Sequence, residues 1–202
     1  MIWIRTIPYR AATGRLRKLY DRIKGPGDNV DNIMMAHALR PHTMEGHMAL
    51  YKNVLHHNGN ELEKSLLELI GVWVSLLNDC HYCVEHHYAG LRRLLGNENK
   101  SDAIRSALEH EDISNEIFKS REQAALEYAR DLTRSPAQLT SEHIQALRAV
   151  GFTDGEVLEL NQVTAYFAYA NRTVLGLGVS IDGDIIGLSP GNTDDPDDWS
   201  HK

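Results

Sequence analysis

The chain has 202 residues and two cysteines, Cys80 and Cys83; His87 stands four positions after the second and Glu68 twelve before the first. These residue types at this spacing suit thiol redox chemistry. The thiolate, not the thiol, is the nucleophile, and a free cysteine with pKa near 8.5 is only about 3% ionised at pH 7. A helix start, with its unpaired N–H groups and positive dipole end, brings that pKa toward ~7 or lower. On one helix Cys80, Cys83 and His87 fall on a single stripe, because residues three and four apart are surface neighbours. His87 can take or return the thiol proton, and Glu68, arriving from the preceding helix, can orient and recharge that imidazole. Once one thiolate has been oxidised by a peroxide to a sulfenic acid, the neighbouring thiol can condense with it to a disulfide, so the cycle needs an external reductant. His81 and His86 lie off the stripe and are read as pointing elsewhere.

The same residues permit other readings. Cys-x-x-Cys with a downstream His is also a zinc arrangement, although no second Cys pair exists to complete a four-ligand site. Two buried, inert thiols and a surface-flank Glu68 are further alternatives. Covalent haem attachment is excluded, since Val84 follows Cys83 where a His is required.

Glu68 reaches the thiols only if the chain breaks between them. In an unbroken helix Glu68 and Cys80 are about 18 Å apart along the axis and about 120° apart around it. Leu62, Leu66, Leu69, Ile70, Trp73 and Leu77 predict an apolar helix from about 61, and Asn78-Asp79 predicts a break with a side-chain cap for a second helix over 80–95, closed by Gly96. Other helices are expected over 11–23, 30–39, 41–57, 101–109, 120–134 with a Ser120/Gln123 capping box, 140–150, and from a Thr153/Glu156 capping box to about 177. His37, His42, His47, His56 and His57 are read as solvent-facing or hydrogen-bonded. A weak internal repeat aligns Glu68 with Glu159, Cys80 with Asn171, Cys83 with Val174 and His87 with Gly178. It predicts two related helical halves with one reactive site per chain.

Composition bounds the partners. With 42% hydrophobic and 24% charged residues the chain is ordinary globular material, and a net charge of −7 gives no footprint for nucleic acid. No signal peptide is read at the amino terminus and no run of apolar residues is long enough for a membrane span, so a cytoplasmic location is expected, where paired cysteines are catalytic or metal-binding more often than structural. One domain over 1–180 is expected, followed by a loosely held acidic tail over 181–202 that ends in Asp194-Asp195-Pro196-Asp197-Asp198.

Glu68, eleven intervening residues, Cys80-x-x-Cys83, three more and His87 resemble the active-site signature of the AhpD-like alkylhydroperoxidases, in the carboxymuconolactone decarboxylase superfamily. Trp3-Ile4, the stretch 11–20, Leu147-Arg-Ala-Val-Gly-Phe152 and Asn171-Arg172 are similar to the branch called peroxidase-related enzymes, and the resemblance covers about 2–181. It implies an all-α fold forming a homo-oligomer (trimer, hexamer or dimer). It also implies reduction of an organic hydroperoxide by Cys83, with Cys80 as resolving partner and proton donor, His87 and Glu68 as proton relay, a thiol or lipoyl-type reductant, and neither cofactor nor metal. A general disulfide reductase and a noncatalytic zinc-binding or redox-sensing module remain as alternatives. The chain departs from the family where a second His immediately precedes the second Cys, since Tyr82 stands here.

Overall fold

The computed structural model describes residues 2–191 and 193–201. Among these the fold is all-helical: α1 Gly14–Ile23, α2 Asn32–Ala36, α3 Pro41–Leu55, α4 Lys64–Leu77, α5 His81–Leu95, α6 Glu98–Glu109, α7 Ser120–Arg134, α8 Ser141–Ala149 and α9 Asp154–Leu177. None is long and apolar enough to cross a membrane.

Helix α4 is the axis. Leu67, Leu69, Ile70, Val72, Trp73 and Val74 are buried on all its sides, the pattern of a helix enclosed by others, and it packs on α5, α7 and α9. Trp73 donates its indole N–H to the Leu126 carbonyl of α7 at 2.9 Å, which satisfies the polar atom of a fully buried ring. Toward α9, Gly71 lets the Phe167 ring lie where any side chain would stand, since a Cβ there would be 2.3 Å from it.

The expected break is present, with a different cause. Asp79 adopts a left-handed conformation at φ 54°. The Asp79 N–H then donates to the Leu76 carbonyl at 3.0 Å and the Cys80 N–H to the Ser75 carbonyl at 2.8 Å, the paired bonds of a Schellman ending, here with Asp in place of the usual Gly. Asn78 and Asp79 therefore end α4 instead of capping α5, whose N-cap is Cys80 itself. Gly96, also left-handed, closes α5 as expected.

Elsewhere the local signals hold with shifted edges. The Thr153/Glu156 box opens α9, with the Thr153 N–H donating to Glu156 at 2.8 Å. For α7 the reciprocal carboxylate is Glu122, taking the Lys119 N–H at 2.7 Å, not the expected Ser120/Gln123 pair. The segment aligned with the thiol stretch runs through the unbroken α9 from Glu159 to Leu177, with Gly178 as its cap, so the second copy lacks the kink that brings the acid to the thiols.

The carboxy-terminal segment differs from a solvated tail. Trp199 and His201 are buried. The Arg22 guanidinium covers the Trp199 ring at 3.8 Å, and Lys52, buried on α3, donates to the Gly191 carbonyl and to Thr193 Oγ1. A buried ammonium needs such acceptors, and Asp194, Asp195 and Asp198 lie near it. The acidic run is thus partly the counter-charge of a core lysine.

Candidate functional site

The Schellman turn folds α5 back beside α4, and Glu68 of α4 then faces α5. Gly90 makes room: a Cβ at that position would stand 3.3 Å from the Glu68 carboxyl group. Glu68 accepts the His87 Nδ1–H at 2.8 Å, with both side chains largely buried. This bond fixes the ring and leaves Nε2 for other work. Phe167 of α9 packs on the same imidazole edge to face, with ring centres 4.5 Å apart.

Both cysteines are free and buried at the start of α5. Cys83 donates its S–H to the Cys80 sulfur, which pulls the Cys80 thiol below its ordinary value against the effect of burial; the Cys83 backbone N–H and the Asn171 side chain add to the lowering. The same thiol–thiol bond, together with burial, pushes Cys83 well up. The two thiols thus titrate as a pair, with Cys80 the more acidic partner. Access runs the other way from acidity, because Cys83 and not Cys80 lines the cavity in front of the site. Asn171, fully buried, is locked by the Asn78 amide donating to its Oδ1 and by its own donation to Ser75 Oγ, both at 3.0 Å.

The cavity, about 40 Å³, is lined by Glu68, Cys83 and His87, by Tyr51, Tyr166 and His47, and by Tyr82, His86 and Asp31; Leu188, Ser189 and His201 of the carboxy-terminal segment also border it. The four expected residues are therefore brought together, Cys80 behind Cys83. His81 is exposed, as expected. His86 is not directed elsewhere: it lines the cavity, stacked on Tyr82 with ring centres 4.5 Å apart. His47 and His56 are buried and hydrogen-bonded, to the Tyr166 hydroxyl and to Lys64 respectively, and each retains its other ring nitrogen without a hydrogen-bond partner. Tyr51, Tyr166 and Asn171 went unassigned in the sequence because aromatic residues at helical spacing look like core. The one signal was a buried-type position in α9 occupied by Asn.

These buried rings carry a pH consequence. Burial lowers His47 to about 3 and His201 to about 4, both from 6.5, and drives His56 well below its ordinary value. Neutral in the fold and protonated in the unfolded chain below 6.5, each contributes stability that is complete above 6.5 and lost as pH falls toward its folded value. At pH 5 His47 and His201 cost about 2 kcal/mol each. Asp31, raised to about 6 chiefly by burial, acts oppositely below 6 and returns about 1 kcal/mol between pH 7 and pH 5. The urea midpoint is therefore expected to fall on going from pH 7 to pH 5, and less so in His47→Gln; equal midpoints at the two pH values would contradict neutral buried rings.

The site sets a Cys-x-x-Cys at the start of α5, with His87 on the same helix and Glu68 on the helix before it, in an all-helical fold. The profile of the carboxymuconolactone decarboxylase family matches residues 41–131, which span α3 to most of α7 and include all four expected residues. That match covers 91 of the 202 residues, the part of the chain that carries the thiols, the imidazole and the acid. Its fold is similar to that of an uncharacterized peroxidase-related protein from Ralstonia eutropha JMP134, an AhpD core (TM-score 0.76, 23% identity, 89% of this chain and 91% of that one). It is also similar to an uncharacterized peroxidase-related protein from Silicibacter sp. TM1040 (0.67, 26%, 75% and 76%) and to the debrominase Bmp8 (0.69, 20%, 90% and 91%). No curated protein matches the chain significantly.

Proposed function

We propose that the chain is a thiol-dependent peroxidase that reduces an organic hydroperoxide through Cys83 and Cys80. The observation that carries this reading is that Cys83 opens on the same small cavity as the His87–Glu68 pair. The Cys83 proton leaves either to Cys80, once that more acidic thiol has ionised, or to His87. The Cys83 thiolate then attacks the terminal peroxide oxygen. The O–O bond breaks, Cys83 becomes a sulfenic acid, and the alkoxide takes a proton and departs as the alcohol. The Cys80 thiol condenses with the sulfenic acid, forming the Cys80–Cys83 disulfide and water. An external dithiol, a small thiol or a lipoyl-bearing protein, restores the pair. A cavity of about 40 Å³ has room for the hydroperoxyl end, and Gly187, Leu188 and Ser189 are among the residues at its border. The homo-oligomer and the reducing, cytoplasmic setting belong to the same reading; exposed Trp3, Leu158 and Leu175 offer apolar surface for a second copy.

The test is titration of the reduced, metal-free protein with tert-butyl hydroperoxide, counting thiols and mapping disulfides by mass spectrometry. Two thiols are expected to be lost per peroxide, with Cys80 joined to Cys83. Thiols that survive excess peroxide overturn the reading and favour the zinc-binding or redox-sensing alternative. Oxidation by a small disulfide faster than by the peroxide favours a general disulfide reductase.

A further inference from the structure

Besides His87, the imidazoles of His47, His86 and His201 border the cavity, and the relay above uses none of them. His86 lies one residue before His87 on α5, stacked on the Tyr82 ring. Its Nε2 is buried, has no hydrogen-bond partner, and stands 3.5 Å from Asp184 Oδ2. Asp184 comes from the carboxy-terminal segment and is held there firmly: both its oxygens accept the Asn32 N–H at 3.0 Å, and Oδ2 takes the Tyr82 hydroxyl at 2.7 Å. The Tyr82 oxygen in turn accepts the Ile33 N–H at 3.3 Å. The result is an Asp184–Tyr82–His86 assembly beside the cavity that Cys83 and the Glu68–His87 pair also line. When His86 carries its second proton, Asp184 is its ion-pair partner.

The chemistry proposed for this site calls for two proton-handling groups. In-line displacement at the peroxide oxygen breaks the O–O bond as the S–O bond forms, so a proton must leave the thiol on one side while the departing oxygen needs one on the other. One imidazole cannot be the free base and the charged donor at the same instant. We propose that His86, positioned by Tyr82 and Asp184, is the proton donor to the oxygen that leaves when Cys83 is oxidised. The proposal rests on the peroxidase reading. The balance is one proton moved from the His86 imidazolium to the alkoxide, giving the neutral alcohol and a neutral His86 that takes a proton back from solvent. His86 is then a catalytic residue, and Asp184 and Tyr82 are positioning residues.

The test varies the leaving group. tert-Butyl hydroperoxide releases a strongly basic alkoxide that must be protonated, whereas peracetic acid releases acetate, which needs no proton. Single-turnover thiol oxidation is followed by stopped flow in the full chain and in His86→Gln. The variant is expected to lose about 100-fold with tert-butyl hydroperoxide and to stay within about threefold of the parent with peracetic acid. Asp184→Asn keeps the size of the side chain and removes its charge; about 10-fold is expected with the alkyl peroxide and little with the peracid. Equal slowing with both oxidants marks a structural role and overturns the proposal, as does unchanged reactivity with both. Parent thiols inert to both oxidants overturn the peroxidase reading itself, and this proposal with it.

Discussion

Cys83→Ser is expected to remove peroxide consumption, by on the order of 10³-fold or more, while Cys80→Ser retains a single turnover and then accumulates a sulfenic acid on Cys83. The asymmetry follows from which sulfur borders the cavity. Cys83 does and Cys80 does not, although Cys80 is the more acidic partner of the resting pair. Acidity governs which thiol ionises first; access governs which sulfur meets the oxidant. The two are reconciled if the Cys83 proton then shifts to the ionised Cys80 along the bond that already joins the sulfurs. Cys80 is then the thiol in place for condensation. In Cys80→Ser the thiol–thiol bond that raises Cys83 is gone, so the remaining thiol ionises more readily, and the first turnover should not be slow. No second thiol is left to close the disulfide. Trapping with a sulfenic-acid reagent and reading the mass of the peptide that carries Cys83 checks both halves. Each substitution buries a hydroxyl where a thiol stood, at about 1–3 kcal/mol, so both variants need a folded circular-dichroism spectrum first. Equal single-turnover rates for the two variants would contradict the assignment.

The parts of this site that could be read in the sequence are those fixed by short-range geometry. Spacing of three and four on one helix puts Cys80, Cys83 and His87 on a stripe whatever the rest of the chain does. The requirement that Glu68 reach them demanded a break near 78–79. The reason for the break was misread: Asn and Asp before a helix suggest a cap, but Asp79 accepts the left-handed turn that ends the previous helix. What stayed hidden comes from residues far apart in the chain. Asp184 meets Tyr82 across 102 positions, and no local pattern encodes that. An acidic, Gly-rich and Pro-rich end reads as solvated because such composition seldom buries enough apolar surface, yet Trp199, His201 and the acceptors for Lys52 dock it. His86 was misplaced for a related reason. On helical spacing alone it lies about 100° from His87, and nothing local shows that the cavity reaches both rings or that Asp184 comes to stand 3.5 Å from His86.

Glu68→Gln is expected to slow thiol oxidation by an alkyl hydroperoxide by about 10²-fold or more at pH 7, within the range ascribed to a positioned general base. The substitution keeps the shape that Gly90 accommodates, and the amide oxygen can still accept from His87 Nδ1, so ring orientation survives. The negative charge does not. Where His87 takes the thiol proton through Nε2, as the proposed relay has it, the imidazolium formed lacks in this variant the buried counter-ion that Glu68 supplies 2.8 Å away. A charge that appears in a largely dry site without a partner is costly, which makes the carboxylate's effect larger here than at the surface. The rate deficit should shrink as pH rises toward the ionisation of the thiol itself, because a thiol already deprotonated needs no base. A structural role for Glu68 would instead lower the urea midpoint and leave the pH profile parallel to that of the parent. Stopped-flow rates over a pH series, set beside urea midpoints for both proteins, separate the two. An unchanged rate at pH 7 in a folded variant would remove Glu68 from the relay and leave His87 acting alone.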